Sequence, residues 1–393
     1  MNLAEQVQRA GVVGAGGGGF PTHVKLAAKA DTLIANGAEC EPLLHKDAII
    51  MEAHATELVR GMQLAMAAVG AADGVVGIKG KKKHAVEAVT AACRGTKVRV
   101  QLLGDYYPAG DEYDLVFNVT GRLIPPGGIP INVGVVVNNV ETFVNVAAAA
   151  DGKPVTHKML TIAGAVKSPV TLRVPLGTTY RDCLAAAGGL TTDDPVLCLG
   201  GLMMGQTTDD LDTPITKTAT GVVILPRTHH TIERKLKPAK VQAKIGKSAC
   251  DQCRYCTEYC PRFLLGYAVE PHQVMRSLAF TATGADYFNQ WAAMCCCVRT
   301  LHAVCLPGGT VSQGSLRRVK GRDARQANQM DRADESQAAP DARRPPRPDP
   351  IAHAQIARGG LRFTRAIERG NHFTDPAACC RSSKARAHRV CRK

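Results

Sequence analysis

The stretch Gly14-Ala15-Gly16-Gly17-Gly18-Gly19-Phe20-Pro21-Thr22-His23-Val24-Lys25 is the most informative segment near the start of the chain. So dense a glycine run lets backbone N–H groups approach a phosphate or a ring system closely, and Lys25 adds a positive charge beside it. The run does not fit the phosphate-loop pattern G-x-x-x-x-G-K-[ST], and no long strand precedes it as a dinucleotide fingerprint requires. Because isolated glycine runs are usually flexible connectors, its meaning depends on the surrounding sequence.

The residues that follow this run alternate between strand-like and helical patterns. Thr32–Ile34, Gly74–Ile78 and Val133–Val137 read as strands, and Glu57–Val69 has apolar residues at helical spacing. Val133–Val137 is valine except at Gly134, which is typical of a strand buried in a parallel sheet. We therefore predict an α/β domain over residues 1–150.

A smaller α+β module is predicted over residues 155–230. Its strands are Met159–Ile162, Val170–Val174 and Val222–Leu225, around one helix at Tyr180–Ala187. Beyond a lysine-rich bridge, residues 240–309 carry a cysteine cluster, with helical patterns at Gln273–Phe280 and Ala285–Met294. Residues 310–393 show no sustained period and are predicted to be disordered.

The cysteine cluster is the strongest chemical signal in the chain. Cys250-Asp-Gln-Cys253-Arg-Tyr-Cys256-Thr-Glu-Tyr-Cys260-Pro261 has the spacing C-x2-C-x2-C-x3-C-P of bacterial ferredoxins, in which the fourth cysteine ligates a second cluster. A zinc site is the alternative reading, since C-x2-C pairs also bind zinc. Downstream, Cys295 remains a candidate ligand of the second cluster, and Cys305 lies one position short of the distant fourth ligand that the cluster of Cys250, Cys253 and Cys256 requires.

Composition places the chain in a reducing compartment. Fifteen cysteines without a secretory signal at the N-terminus point to metal or redox chemistry rather than to disulfides. The sequence holds no run of about 18 apolar residues, so no membrane span is predicted. We therefore expect a cytoplasmic protein.

The positive charge lies almost entirely in the C-terminal part. Residues 298–393 hold 17 Arg and 3 Lys against 8 acidic residues, a net charge of +12, whereas the whole chain carries +15. A basic tail of this kind can bind nucleic acid, and such a non-enzymatic binding protein is one alternative reading of the chain. Its binding would depend strongly on salt and would disappear on cutting after residue 297.

We favour a different explanation of the tail. When the reading frame is slipped by one base at Val298, the genetic code permits C-G-L-C-T-L-Y-A-C-P-E, which after Cys295 completes a second cluster motif. The Met330-Asp331 pair then gives tryptophan. We hypothesise that residues from about 298 are the out-of-frame translation of a damaged or mis-sequenced gene, and we expect no nucleic-acid partner. Resequencing the gene on both strands tests this, because an intact frame would refute it.

Three further segments give the glycine run its meaning. They are Asn36-Gly-Ala-Glu39-Cys40-Glu41-Pro42 with the following Lys46-Asp47, then Tyr107-Pro108-Ala109-Gly110-Asp111-Glu112, and Val137-Asn138-Asn139-Val140-Glu141-Thr142. With the glycine run, this set resembles the FMN- and NADH-binding subunit of respiratory complex I. It is more similar still to the C subunit of the Rnf complex and to the cobalamin reductases of the PduS family. The likeness covers about residues 5–297, and the module at 155–230 resembles an SLBB (soluble-ligand-binding β-grasp) domain.

The resemblance implies a set of cofactor-binding and catalytic residues. FMN would be held by residues of the glycine run and by two asparagines beside it: Gly16, Gly17, Gly19, Phe20, Thr22, Lys25, Asn36 and Asn138. Glu39 and Glu41 match the acidic positions implicated in contact with flavin and nicotinamide. The turn Gly200–Gly205 would belong to the SLBB domain and contact a corrinoid or a partner, although core packing is the commoner role for Met203 and Met204.

The resemblance also implies an activity. NADH would reduce FMN, and electrons would then pass through 4Fe–4S clusters to cobalamin or to a B12-handling partner enzyme. A setting in a bacterial microcompartment, with shell proteins as possible neighbours, follows from the propanediol-utilisation likeness. The alternative is an Rnf-type protein that couples ferredoxin and NAD. Because the second motif is altered, we expect this chain to bind flavin but to assemble its clusters incompletely.

Overall fold

The fold is described from a computed structural model, which defines residues 1–238, 241 and 251–273. All of these residues fall in one compact unit of the chain. Apart from Gln273, the predicted helices at Gln273–Phe280 and Ala285–Met294 lie outside the described residues, and so does the predicted disordered tail at 310–393.

The N-terminal domain is built on a four-stranded parallel sheet with the strand order β3-β2-β1-β4. The strands, in chain order, are β1 Thr32–Gly37, β2 Asp73–Lys79, β3 Val98–Leu103 and β4 Val135–Asn139. The three predicted strands are therefore present, but β1 and β2 are longer than predicted and β4 is displaced by two residues. Pro130–Val133 forms a 3-10 turn that ends at Gly134 with φ +74°, so the valine strand begins at Val135 instead of Val133.

Helices cover both faces of this sheet. They are α1 Leu3–Arg9, α2 Thr22–Leu26, α3 Lys46–Ala53, α4 Ala55–Val69, α5 Lys83–Ala92, α6 Glu112–Thr120 and α7 Val140–Ala150. Alternate residues of β1 point to opposite faces, as strand geometry requires. Leu33 joins the core formed with α4 and α7, whereas Ile34 joins a second core with α6. The predicted α/β class is confirmed.

The second domain has a five-stranded mixed sheet with the order β6-β5-β9-β7-β8. Its elements are β5 His157–Gly164, β6 Val170–Pro175, α8 Tyr180–Ala186, β7 Pro195–Leu199, β8 Gln206–Thr208 and β9 Gly221–Pro226, followed by α9 His230–Leu236. The three predicted strands and the predicted helix are all present. Thr179 starts α8 with a capping box, in which its side chain and that of Asp182 each accept a backbone N–H.

The second domain and the cysteine segment pack against a loop and a helix of the first domain. One face of the second sheet contacts α8 through a buried core. Its other face packs on Leu44, which lies in the loop that follows β1. The cysteine segment forms two short helices, Tyr255–Glu258 and Pro261–Leu264, and Cys260 packs in a small cluster that includes Tyr113 of α6. None of the helices in the described ranges is both long and apolar enough to cross a membrane.

Candidate functional site

In a parallel sheet, a crevice is expected at the carboxyl ends of two neighbouring strands whose following connections run to opposite sides of the sheet. In this sheet that point lies between β1 and β4, where Asn36 pairs in register with Asn139 and Ala35 with Asn138. Asn36 Nδ2 donates a hydrogen bond to the carbonyl of Gly110 at 2.8 Å, which ties the strand end to the loop before α6. Two of the predicted flavin residues, Asn36 and Asn138, therefore both lie at the carboxyl end of the sheet, where α/β sheets bind ligands, although they are one residue out of register with each other.

The glycine run folds back on itself over this strand end. The Gly14 N–H donates to Phe20 O at 2.9 Å, and the Gly19 N–H donates to Gly14 O at 3.1 Å. Gly17 has φ +111°, a backbone conformation that residues with a Cβ rarely adopt. A Cβ built on Gly16 would lie 3.1 Å from Cβ of Asn139, so the run sits directly against the end of β4.

Lys25 and Phe20 lie at the exposed side of the run. Lys25 Nζ donates to the carbonyl of Val137 at 2.7 Å and lies 3.8 Å from a carboxylate oxygen of Glu112. The Phe20 ring is 49% exposed, and Lys25 Nζ is 5.7 Å from its centroid. An exposed aromatic ring and a cation thus flank the glycine run. The aromatic ring could stack on a planar ligand ring, and the cation could pair with an anionic group of the same ligand.

Two polar atoms in this region support the fit of FMN to these residues. Asn138 Nδ2 and Thr22 Oγ1 are buried and have no hydrogen-bond partner among the described residues. Buried polar groups without partners are rare in folded proteins and call for a ligand or water. Around Gly17 and Gly18, a built Cβ would meet open space. An amide donor, a hydroxyl and an open glycine cradle are the groups expected to face a flavin and its phosphate.

A buried group of charged side chains underlies the run. Lys46 pairs with Asp47 and lies 3.2 Å from Glu141, while Lys158 pairs with Glu141 and donates to the carbonyl of Ala15 at 2.9 Å. The Lys46 side chain is fully buried and that of Lys158 is 2% exposed. Because Lys158 belongs to β5, the second domain directly holds the backbone of the glycine run.

Burial and neighbouring charges together shift the pKa values of Lys46, Lys158 and the nearby Glu39. Burial and the neighbouring Asp47 raise the pKa of Glu39 to about 8, so Glu39 carries a proton at neutral pH. Burial and the charge of Lys46 lower the pKa of Lys158 to about 8. Burial alone would lower the pKa of Lys46, but Asp47 and Glu141 hold it above its usual value. Lys46 therefore stays charged, and Glu39 and Lys158 titrate close to physiological pH.

Glu41 lies at a contact with the second domain. Its carboxylate accepts the backbone N–H of Met203 at 2.8 Å and that of Met204 at 2.6 Å. Gly201, in the same turn, has φ +111°, and a Cβ there would overlap Oε2 of Glu41. Core packing, the commoner role for methionine, does not describe Met204, which is 40% exposed, while Met203 is half-buried. Their role in the structure is to present backbone donors to Glu41.

The predicted cluster ligands are only partly described. Cys253 is exposed and Cys256 and Cys260 are buried, whereas three predicted ligands lie outside the described residues: Cys250, Cys295 and Cys305. Across residues 251–273 and the other described ranges, no three His, Cys, Asp or Glu side chains converge on one point.

The backbone of this segment nevertheless suits a cluster. Gln252 and Arg254 have φ +60° and +69°, the left-handed conformation that non-glycine residues seldom adopt. Such turns between closely spaced cysteines let successive thiolates face one centre, and backbone outliers of this kind concentrate at functional sites. The donor set, thiolates at ferredoxin spacing, fits a 4Fe–4S cluster.

Sequence reasoning missed the buried charge cluster. Glu141 and the Lys46-Asp47 pair were noted only as parts of motifs, and Lys158 was not singled out. A signal was present, since Lys158 is the only charged side chain in the apolar strand His157–Gly164. A lysine in such a strand indicates a buried partner, but the sequence does not say which one.

Comparisons with protein families match three consecutive parts of the chain. Residues 7–148 match the Nuo51 FMN-binding domain, residues 159–207 the SLBB domain and residues 249–307 a 4Fe-4S dicluster domain. These matches confirm the predicted order of domain types and the predicted cofactors, FMN and 4Fe–4S clusters.

Similar curated proteins agree with these matches. "Cobalamin reductase PduS" of Citrobacter freundii is 42% identical over 84% of this chain and 72% of its own length. The protein of the same name from Salmonella typhimurium is also 42% identical, over 83% of this chain and 72% of its own. The C subunit of the proton-translocating ferredoxin:NAD(+) oxidoreductase complex of Clostridium ljungdahlii is 38% identical over 66% of this chain and 55% of its own.

Among solved structures, the chain resembles an NAD+-reducing [NiFe]-hydrogenase in the H2-reduced state. The TM-score is 0.50 at 23% identity, over 73% of this chain and 57% of that chain. At this identity the likeness shows a shared fold.

Proposed function

The chain belongs to the PduS cobalamin reductase family, and from this premise we propose that it uses NADH to reduce cobalamin through FMN and 4Fe–4S clusters. FMN would supply two-electron hydride chemistry and the clusters one-electron chemistry, so together they would link a two-electron donor to a one-electron acceptor. In the balanced reaction, one NADH reduces two cob(III)alamin to cob(II)alamin and releases NAD+ and one proton.

The observation that carries this proposal is the unpaired amide of Asn138 beside the glycine run. Asn138 Nδ2 is buried without a partner among the described residues at the strand-end crevice. In the proposed complex this amide would donate to the flavin, and Gly16 and Gly17 would offer backbone N–H groups to its phosphate. Gly19, whose N–H donates to Gly14 O, would hold the shape of the run. Lys25 adds the positive charge that the phosphate requires.

The remaining predicted flavin contacts are proposed on their positions. Phe20 presents an exposed ring, and the buried hydroxyl of Thr22 has no partner within the described part of the chain. Asn36 is already bonded to Gly110 O, so we propose that it shapes the crevice by holding the loop before α6.

Glu39 and Glu41 are proposed to act differently from each other. Because its pKa is raised to about 8, Glu39 offers a neutral O–H near the crevice and does not repel the anionic nicotinamide nucleotide. Glu41 is occupied by the amides of Met203 and Met204. We therefore assign Glu41 to joining the two domains and Glu39 to the nicotinamide side.

For the clusters we propose the ligands that the cysteine spacing indicates. Cys250, Cys253 and Cys256 would hold one cluster, with Cys305 one position away from the register of its fourth ligand. Cys260 and Cys295 would serve the other cluster. Iron and sulfide analysis tests the expected incomplete assembly, and about eight of each per flavin would contradict it.

The acceptor and the setting are also proposals. The names of the relatives support cobalamin, or a protein that handles it, as the acceptor. Together with the propanediol-utilisation likeness, they support a place in the cytoplasm within a bacterial microcompartment, near its shell proteins.

A direct test uses the full chain, loaded anaerobically with FMN, iron and sulfide. NADH is added with hydroxocobalamin, and cob(II)alamin formation is followed by its absorption. A parallel assay replaces the corrinoid with oxidised ferredoxin, the substrate class in the name of the Clostridium relative. We expect NADH-dependent cob(II)alamin formation. Reduction of ferredoxin alone would favour the Rnf-type function instead, and reduction of neither would refute the proposal.

A further inference from the structure

The loop between β3 and α6 belongs to the flavin domain and links its strand ends to the cysteine segment. At its centre, Gly110 accepts the Asn36 amide through its carbonyl and donates its N–H to Cys40 Sγ at 3.0 Å. The next residue, Asp111, starts α6 by accepting the N–H of Tyr113 at 3.2 Å. Glu112 then approaches Lys25 of the glycine run. The loop is therefore fixed to the strand end on one side and to the glycine run on the other.

Asp111 has a second partner in the cysteine segment. Both of its carboxylate oxygens accept from the guanidinium of Arg262, with Nη2 to Oδ1 at 3.1 Å. The Arg262 side chain is 6% exposed and that of Asp111 is 16% exposed. Bidentate Arg–carboxylate pairs fix geometry as well as contributing energy. Here the pair joins parts of the chain that are 151 residues apart in sequence.

Aromatic packing adds to this contact. The Arg262 guanidinium lies 3.8 Å from the centroid of the Tyr113 ring, a cation–π arrangement. Tyr267 packs edge-on against the same ring, with centroids 5.6 Å apart, and its hydroxyl donates to Ile124 O at 2.5 Å. Cys260, two residues before Arg262, is buried in the same cluster. The predicted cluster ligand Cys260 therefore packs beside the Arg262–Tyr113 contact.

We propose that the Asp111–Arg262 pair is a positioning pair that docks the iron–sulfur segment onto the flavin domain. Neither residue contacts a cofactor in this assignment; each acts by holding Cys260 against α6. The proposal rests on the electron-transfer function proposed above, because electron transfer requires cofactors held at a fixed separation. Neighbouring residues make the two contacts: Glu112 contacts Lys25 of the glycine run, and Asp111 contacts Arg262 of the cysteine segment. The loop therefore fixes the distance between the glycine run and the cysteine segment.

The contact should behave as a buried ion pair. Removing one partner leaves the other charge buried and uncompensated, which is strongly destabilising. Arg262→Gln keeps most of the side-chain volume but removes the charge. Asp111→Asn also removes a charge, yet asparagine remains a good N-cap for α6. Asp111→Asn therefore removes the ion pair without removing the N-cap of α6, so the effect of losing the docking contact can be measured separately.

The experiment is hydrogen–deuterium exchange on the full chain as isolated, before any cluster is loaded. The readout is the exchange rate of peptides covering residues 255–267, with strands of the second domain as an internal reference for folding. We expect Arg262→Gln and Asp111→Asn each to accelerate exchange more than tenfold. The double variant should exchange no faster than Arg262→Gln alone, because both changes remove the same pair. Arg262→Lys should fall between wild type and Arg262→Gln.

The matched control is Arg254→Gln in the same segment. Arg254 is 52% exposed and lies 3.8 Å from Glu270, so its loss should change exchange by less than twofold. Exchange in Arg262→Gln within twofold of wild type would overturn the proposal, as would additive effects in the double variant.

FMN content and NADH-dependent bleaching are recorded on separately loaded samples of the same variants. Failure of bleaching in the wild type would refute the proposed function, while the exchange data would still decide whether the pair docks the segment.

Discussion

Lys158 offers a direct test of how the second domain supports flavin binding. Its ammonium is buried, pairs with Glu141 and donates to the carbonyl of Ala15 inside the glycine run at 2.9 Å. Replacing it by methionine keeps the length of the side chain and removes both interactions. The run would then lose its only described contact with a buried cation, and Glu141 would keep only Lys46, at 3.2 Å, among the cations of the described residues.

Two effects of Lys158→Met can be separated by size. A hydrogen bond from a charged donor contributes about 1.5–3 kcal/mol. Without this hydrogen bond the glycine run is less ordered in the flavin-free chain, and FMN binding must then order it. The free energy of FMN binding becomes less favourable by that amount, so the dissociation constant for FMN rises about 10- to 100-fold. Glu141, which keeps Lys46 as a partner, also destabilises the fold, by less than the roughly 3–5 kcal/mol expected for a wholly unpaired buried charge. The two effects appear in different measurements.

Quenching of FMN fluorescence on titration with the flavin-free chain gives the dissociation constant, and thermal unfolding gives the stability. Lys167→Met is the control, because Lys167 is exposed in the same domain, and it should leave both quantities unchanged. A Lys158→Met protein that is folded at the titration temperature and binds FMN within twofold of wild type would refute the idea that β5 holds the glycine run.

Three further outcomes are expected. Gly201→Ala should lower the free energy of unfolding by about 1–3 kcal/mol, since its Cβ would overlap the Glu41 carboxylate; chemical denaturation measures this, and an unchanged midpoint would show that the turn does not need glycine. The Glu39 carboxyl, with its pKa raised to about 8, contributes stability that is complete below its unfolded pKa of about 4.3 and is lost as pH rises through 8. Glu39→Gln should therefore lose less stability than wild type between pH 5 and 9, and parallel curves would contradict the assignment. Cys256→Ser should lower the iron bound after reconstitution, whereas Cys93→Ser, at a buried site remote from the motif, should not; equal iron in both would exclude Cys256 as a ligand.

The architecture could be predicted because local patterns determined it. The all-valine run near residue 135 and the helical spacing of Glu57–Val69 required a buried parallel strand and a covering helix. Asn36 and Asn138 follow strand residues, so a parallel sheet brings both to one edge. The bounds were less predictable, since the 3-10 turn at Pro130–Val133 depends on how Gly134 closes it.

Contacts between distant segments could not be predicted in the same way. Nothing near Glu41 in sequence indicates that backbone amides 162 and 163 residues later will occupy its carboxylate. Arg262 likewise reads as an ordinary basic residue after a cysteine motif, and its burial against Tyr113 follows only from the docking of two domains. Such partners depend on domain packing, which leaves no periodic pattern in the sequence.

Everything proposed here depends on whether this chain holds a flavin that NADH can reduce. The most direct measurement is the absorption spectrum of the anaerobically purified, FMN-loaded full chain before and after one equivalent of NADH. We expect a protein-bound flavin band that bleaches on addition of NADH and returns when an electron acceptor is added. A chain that is folded but retains no flavin, or a bound flavin that NADH leaves oxidised, would contradict it.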